Sequence, residues 1–488
     1  MAATKLCLTV QADTMADLVR RRDEAIAADL LELRLDGVVD PDVPAALANR
    51  RLPAIITCRP TWEGGRFDGP ESVRLALLRH ALESGAEFVD VEWRASHAEL
   101  IAVTGGARIV LSSHDFDQCP QDLADRVRAM LGTGAEVVKV AVRAGCLSDC
   151  LTLLDTARAV RAPGRLVLIG MGECGIVTRV CAAKFGAAWC YAGRVAGVGQ
   201  LDAPTLLGEY RFRTIGPSTE IYGVIGMPVT HSVSPAMHNA AFADSGRDAV
   251  YLPLPAADVN DAVDFVRGMG MKGASITIPY KVAVLPHLNE VDAAARHVGA
   301  VNTLRVVEGR WQGANTDVVG FLRPLEERGV VLAGRRASVL GAGGSSRAVV
   351  AGLVRAGATV TLHARTVAKA REVASALAVT VGPWPPEAGS WDLLVNCTPV
   401  GMYPATGETP IAADLLTGRI VYDLVYNPIE TRLLREAAQA GCETIGGLDM
   451  LVAQAREQSQ WWTGSLPAAE VMRRAATRRL REFMSPWR

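Results

Sequence analysis

Lys139 stands in the apolar run EVVKVAV, where strand alternation would turn it toward a core of valines. A lysine buried among apolar side chains gives up its proton more readily, and a neutral amine can attack a carbonyl to give a Schiff base. The alternative is a lysine at a strand edge that snorkels to solvent. His114, in SSHDF, could shuttle protons near neutral pH, although a lone histidine at a strand end is more often structural. Arg34, Arg59 and Arg179 offer the forked cation a carboxylate needs, and each alone would equally fit a surface ion pair.

The second half carries a different set. In THSVSPAMHNAAF, Ser232 and Ser234 lie one residue apart and could both reach a carboxylate; Ser234 could instead cap a helix starting at Pro235. Thr277 and Lys281 fall just past a strand in SITIPYK, Asn302 in GAVNTL, and Asn315 and Asp317 at a strand-to-helix turn in GANTDVVGF. All could be turn chemistry, but a lysine and an aspartate close to one substrate hydroxyl would form a proton relay. ASVLGAGGSSR reads as the strand, turn and helix start of a dinucleotide-binding unit, or as a glycine-rich structural turn. Gly341 would make the turn and Gly343 would admit a pyrophosphate, while Ser346 stands at the last position of G-x-G-x-x-G. The next strand-like run, ATVTLH, leads to Arg365, Thr366 and Lys369 with no acid between them, which favours NADP over NAD. Two solvated basic residues opening a helix would look the same.

These residues need elements to hold them. Residues 1 to about 215 contain eight strand-like runs, LCLTV, LLELRL, AIITC, FVDVEW, IVLSS, VVKVAV, LVLIG and WCYAG, alternating with helical patterns. That count predicts a (β/α)8 TIM barrel, with chemistry at the C-terminal ends of the strands. Glu32 and Arg34 fall in the second strand, Arg59 ends the third with Glu63 in the loop beyond, His114 follows the fifth, and Lys139 lies inside the sixth. YRFRTIGPSTEI predicts a linker near residues 212 to 220. The α/β pattern resumes after it.

The totals exclude other classes. With 51 basic and 52 acidic residues interspersed, no basic stripe points to nucleic acid. No apolar run approaches a membrane span and the N-terminus lacks a signal pattern, so a cytoplasmic protein without membrane partners is expected. The 10 cysteines include no CxxC pair; Cys146 and Cys150 lack the partners of a zinc site, so no metal and free thiols are expected.

ELRLD, TCRPTWEGG, SSHDF, VVKVAV, GIVTRV and AGVGQ together resemble type I 3-dehydroquinate dehydratase across nearly all of residues 1 to 215. The resemblance implies that Lys139 forms the imine, His114 moves protons and Glu63 assists or orients His114. It also implies that Arg34, Arg59, Arg179 and Gln200 bind substrate, with Glu32 positioning them. Ala196 stands where that family usually has a serine, which removes one hydrogen bond of the closing loop.

Residues 220 to 488 resemble shikimate dehydrogenase through the serine loop, SITIPYK, NTDVVGF, NCTPVGM, YDLVYNP and GLDMLVAQA. That resemblance implies Ser232 and Ser234 on the shikimate carboxylate, and Thr277, Asn302, Asp317 and Gln454 on its ring hydroxyls. It implies Lys281 and Asp317 as the catalytic pair, and Tyr426 in the cleft. NADP would be held by Gly341, Gly343, Gly344, Arg365, Thr366, Lys369, Thr398 and Met402, with Ala364 removing a contact the family often makes through Asn. The expected domains are the barrel at 1 to 215, a substrate domain at 220 to 325 completed by helices at 450 to 485, and a Rossmann-type NADP domain at 330 to 449.

The two reactions implied are consecutive, dehydration of 3-dehydroquinate and NADPH-dependent reduction of the product to shikimate, in aromatic amino acid biosynthesis. The alternatives are a quinate/shikimate dehydrogenase, which the intact Ser234 disfavours, and a metabolite-sensing regulator with lost activity. The retained Lys139, His114, Lys281 and Asp317 speak against the second.

Overall fold

Eight short runs rich in Leu, Ile and Val, buried on both faces, pair in parallel as such runs do. They are β1 Lys5–Gln11, β2 Leu30–Arg34, β3 Ala54–Thr57, β4 Phe88–Glu92, β5 Ile109–Asp115, β6 Val137–Arg143, β7 Leu166–Met171 and β8 Trp189–Ala192. Their order is β7-β6-β5-β4-β3-β2-β1-β8, and a bridge between Leu166 and Ala187 draws the two ends together into the expected (β/α)8 barrel. The computed structural model describes residues 4–193, 195 and 197–484, so Ala196 lies outside the described residues.

His114 does not follow the fifth strand; it lies within it, paired with Ala141, because the long run VVKVAVR carries the ladder on to Asp115. The segment 212 to 220 is tied down rather than loose. Phe212, Ile215 and Thr219 are buried, and Arg213 grips the Asp29 carboxylate at 2.9 and 2.8 Å.

The chain divides into two compact units, Met1–Glu220 with Asp248–Gly270, and Ile221–Arg247 with Met271–Arg488. In the first unit β10, Ala249–Pro255, leads to the helix Val259–Gly268. From that helix Asp261 accepts hydrogen bonds from the backbone N–H of Leu147 (3.1 Å) and Ser148 (2.8 Å), two donors that the barrel helix Leu147–Val160 cannot satisfy internally.

In the second unit β9 (Glu220–Gly226), β11 (Gly273–Ile276), β12 (Glu290–Val291), β13 (Thr303–Val307) and β14 (Arg310–Ala314) lie in the order β9-β11-β13-β14-β12. β13 runs antiparallel to both neighbours. A second sheet holds β15 (Arg336–Leu340), β16 (Thr359–His363), β17 (Thr380–Val381), β18 (Leu393–Asn396), β19 (Ile420–Asp423) and β20 (Glu443–Ile445). Its order, β17-β16-β15-β18-β19-β20, all parallel, is that of a Rossmann fold, with the switch point at the C-terminal end of β15. The last helices, Gly447–Thr463 and Ala469–Met484, return to the helix Ser234–Asp244, burying Leu448, Val452, Met472 and Leu480 against Val233 and Met237.

Among the described residues no helix is long and apolar enough to cross a membrane, and no group of His, Cys, Asp and Glu could hold a metal ion. All 10 cysteines are free thiols.

Candidate active sites

Inside the barrel, β5 and β6 bring the two expected actors together. Lys139 pairs with Ser112, and His114 lies two residues further along the same face of β5. Lys139 is 5% exposed, but its surroundings are not the valines the sequence suggested. Its amine lies 3.3 Å from Glu32 Oε1 and 3.1 Å from Asp90 Oδ2, and over the Tyr191 ring at 4.3 Å. A buried cation requires such partners, so the inward face of this layer is polar while the valines turn outward.

Glu32 is fixed from three sides, since Thr9 (2.9 Å) and Thr57 (3.2 Å) also donate to it. Gln200 reaches the same Thr9 hydroxyl at 3.3 Å, which brings the last barrel loop over this layer. Glu63 accepts from the His114 backbone N–H at 2.8 Å and lies 3.5 Å from its ring Nδ1. Burial, together with the Arg59 and Lys139 charges, pushes the His114 imidazole well below its ordinary range. It is therefore neutral at pH 7 and able to accept a proton. Burial pushes the Glu63 carboxyl upward.

The three arginines differ in availability. Arg34 is bound on two nitrogens by Asp36 at 2.7 and 2.8 Å. Arg59 is buried, donating to Glu92 (2.7 Å), Ser112 (2.7 Å) and Asp90 (2.9 Å). Arg179 is buried and donates to the Val198 carbonyl, and among the described residues its buried Nε has no acceptor and its guanidinium no counter-charge in contact. Burial pushes it below the usual guanidinium range, which a bound anion would offset.

In the second unit a cleft of about 590 Å³ is lined by Ser232 and Ser234, by Thr277 and Lys281 past the excursion of Asp248–Gly270, by Asn302 and Asp317 further on, and by Tyr426 and Gln454 near the end. Lys281 Nζ lies 2.5 Å from Asp317 Oδ2, while Asn302 donates to the other oxygen of Asp317 at 2.7 Å. The helix Asp317–Glu327 begins at Asp317 itself, and the Asn315 side chain accepts from the Asp317 N–H at 3.1 Å. Gln454 Oε1 lies 3.5 Å from Asn302 Nδ2. Ser234 is not the cap of a helix starting at Pro235, for the helix begins at Ser234 and the Ser232 hydroxyl accepts from the Ser234 N–H at 3.2 Å.

The nucleotide cradle has the expected shape. Gly341 has φ +105°, a conformation that side chains rarely adopt, and Gly343 precedes the helix Gly344–Arg355 with open space where a Cβ would be. Ser346 replaces the third glycine without crowding because it is buried and its hydroxyl accepts from the Gly343 N–H at 3.2 Å. A Cβ on Gly344 would meet Lys281 Cδ at 3.1 Å, so this loop closely approaches the reactive lysine. Arg365, Thr366 and Lys369 are exposed beyond β16, and Ala364 lies beside them half-buried. Thr398 is anchored by its hydroxyl to Asn396 Oδ1 at 2.7 Å, and Met402 lines the cleft.

Sequence reading missed four contributors. Asp90 and Glu92 alternate in FVDVEW, and two acids at i and i+2 in an apolar strand were a usable signal for an inward charged face. Gln458, one helical turn after Gln454, bonds Ser275 and Thr303 at 2.7 and 3.1 Å. Asp423 accepts from Asn396 (2.9 Å) and Thr431 (2.6 Å) beneath Thr398.

A lysine and a histidine inside a (β/α)8 barrel, and a Lys–Asp pair between a substrate cleft and a Rossmann switch point, define an enzyme of two activities. The first is a lyase and the second a dinucleotide-dependent oxidoreductase. Type I 3-dehydroquinase matches residues 6–217, the shikimate dehydrogenase substrate binding domain residues 224–304, and the shikimate 5'-dehydrogenase C-terminal domain residues 447–477. The chain is 35% identical over 505 residues to a chloroplastic bifunctional 3-dehydroquinate dehydratase/shikimate dehydrogenase of Arabidopsis thaliana, covering 96% of this chain and 83% of that one. It is 46% identical over 278 residues to a shikimate dehydrogenase (NADP(+)) of Symbiobacterium thermophilum, covering 54% of this chain and 94% of the relative. Among solved structures, the shikimate dehydrogenase of Thermus thermophilus in complex with NADP(H) and shikimate is 39% identical with a TM-score of 0.50, covering 53% of this chain and 99% of that one. The chain belongs to the bifunctional 3-dehydroquinate dehydratase/shikimate dehydrogenase family.

Proposed function

We propose that the two activities of this family, dehydration of 3-dehydroquinate and NADPH-dependent reduction of 3-dehydroshikimate to shikimate, are carried by the residues gathered above. The observation that carries the reading is Lys139 buried inside the barrel with its amine among Glu32, Asp90 and the Tyr191 ring. Lys139, its proton passed to a neighbouring carboxylate, attacks the substrate ketone and water leaves to give the imine, which acidifies the neighbouring C–H bond; hydrolysis of the product imine at the end frees the amine again. His114, neutral and beside Glu63, takes that proton and returns one to the departing hydroxyl, so that water leaves. Arg179, whose buried Nε has no acceptor among the described residues, supports binding of the substrate carboxylate. Arg34, Arg59 and Gln200 line the rest of that substrate site.

In the second unit Ser232 and Ser234 donate to the carboxylate, and Thr277, Asn302, Tyr426 and Gln454 orient the ring. NADPH supplies the hydride. Lys281 delivers the proton that the ketone oxygen needs and Asp317 holds the ammonium that does so. Gly341, Gly343 and Gly344 fit a pyrophosphate at the helix N-terminus, Arg365, Thr366 and Lys369 fit the 2′-phosphate, and Thr398 and Met402 border the nicotinamide end.

The test is turnover of 3-dehydroquinate by the full chain with NADPH, following dehydroshikimate and NADPH absorbance together. Borohydride added with 3-dehydroquinate should leave a ligand-sized mass on Lys139, and Lys139→Ala should abolish both labelling and dehydration. Undiminished dehydration by that variant would end the imine reading.

A further inference from the structure

Behind Lys139 runs a chain of alternating charges, and its far members, Arg74 and Glu92, have no part in the reaction as described. It starts outside the barrel, on the helix Glu71–Glu83, where the guanidinium of Arg74 is completely buried. Arg74 Nη1 donates to Glu92 Oε2 at 2.5 Å and to the Cys58 carbonyl at 3.1 Å, while its other nitrogens bond Glu71. The second oxygen of Glu92 accepts from Arg59 Nη1 at 2.7 Å. Arg59 Nη2 donates to Asp90 Oδ2 at 2.9 Å, the same oxygen that lies 3.1 Å from Lys139 Nζ. The Ser112 hydroxyl joins the chain from β5, accepting from Arg59 and donating to Asp90.

Such a network is not explained by stability. Burying Arg74, Glu92, Arg59 and Asp90 costs desolvation that well-packed apolar residues of like size would avoid. What the network does fix is geometry. Each carboxylate is shared by two cations, so Asp90 divides one oxygen between Arg59 and Lys139, and Arg59 is aimed by Glu92, which is aimed in turn by Arg74.

We infer that Arg74 and Glu92 are positioning residues for the dehydration site, acting through Arg59 and Asp90 on the Lys139 amine. The inference rests on the reading of Lys139 as the imine-forming residue. With Glu92 or Arg74 altered, Arg59 is no longer held against Asp90. Asp90 then keeps only the Ser112 hydroxyl and Lys139, and the amine is held away from the ketone.

The experiment uses the full chain and measures dehydration per active site, counted as the folded fraction of the barrel by denaturant unfolding, with borohydride labelling of wild-type Lys139 by 3-dehydroquinate run beside it. Glu92→Gln and Arg74→Met should lower kcat per counted site by roughly 10- to 100-fold, the scale of a misplaced reacting group, with KM little changed. Arg74→Lys should recover part of the rate. A loss of folded barrel reduces the number of sites and leaves the rate per site alone, so this readout separates positioning from folding. Should the single variants unfold, the double variant Arg74→Met/Glu92→Met removes the buried charges together. A wild-type rate per site in folded Glu92→Gln, Arg74→Met or the double variant overturns the inference. Absence of label on wild-type Lys139 removes the reading beneath it and the inference with it.

Discussion

Lys281 Nζ and Asp317 Oδ2 lie 2.5 Å apart in the wall of the cleft that Ser232 and Ser234 also line. Replacing Lys281 by alanine should lower the reduction rate by on the order of 10²- to 10⁴-fold, the usual range for a lost acid–base group, with a much smaller change in shikimate affinity. Dehydration should stay near wild type, so 3-dehydroshikimate should accumulate in the presence of NADPH. Loss of dehydration in the folded variant would mean that the second unit contributes to the first reaction.

Arg365 is exposed beyond β16, where a ribose-binding acid would stand in an NAD enzyme. Arg365→Ala should raise the KM for NADPH by about 10- to 150-fold, corresponding to a charge-assisted contact of roughly 1.5–3 kcal/mol, and should leave the KM for NADH nearly unchanged. A wild-type preference for NADH would overturn this assignment.

Asp261 serves the first turn of the helix Leu147–Val160 from more than a hundred residues away. Asp261→Ala should destabilise the first unit by roughly 0.5–2 kcal/mol, the cost of a lost helix cap, readable as a lower unfolding midpoint of dehydratase activity. A fragment ending at residue 220 loses the same carboxylate and should show at least that loss. Equal midpoints for wild type and the variant would show that the contact contributes nothing.

Asp423 is buried, and that burial pushes its carboxyl up from 3.8 to about 6 against the bonds from Thr431, Val425 and Asn396. Between those values the folded chain holds a proton that the unfolded chain has released, so stability falls as pH rises from about 4 to 6. At about 1.4 kcal/mol per unit the contribution is on the order of 2–3 kcal/mol. Asp423→Asn removes the titration. The stability of the variant relative to wild type should therefore rise across that interval, as read by denaturant unfolding at several pH values, and a constant difference would refute it.

The partners of Lys139 mark the limit of what could be read along the chain. That it sits in a buried strand was legible, because EVVKVAV carries its own burial pattern. That its neighbours are Asp90 and Glu32 was not, since those residues are 49 and 107 positions away and meet it only when β2, β4 and β6 close around one axis. The same distinction holds for the serine loop. Two hydroxyls one residue apart were visible, but which of them turns back onto the helix start depended on where the backbone enters that helix.

Local elements could be read along the chain: eight short apolar runs patterned as buried strands, and a glycine turn whose backbone no other residue type readily adopts. The sequence also carried the motifs whose chemistry belongs to a lyase and a dehydrogenase. Which charges face one another depends instead on how the distant elements close together. Glu92 reaches Arg74 across a strand and a helix, and Asp261 reaches a helix start in the barrel. Burial makes an unpaired charge too costly to keep, but it does not say from which part of the chain the partner comes; the closure of the sheets does.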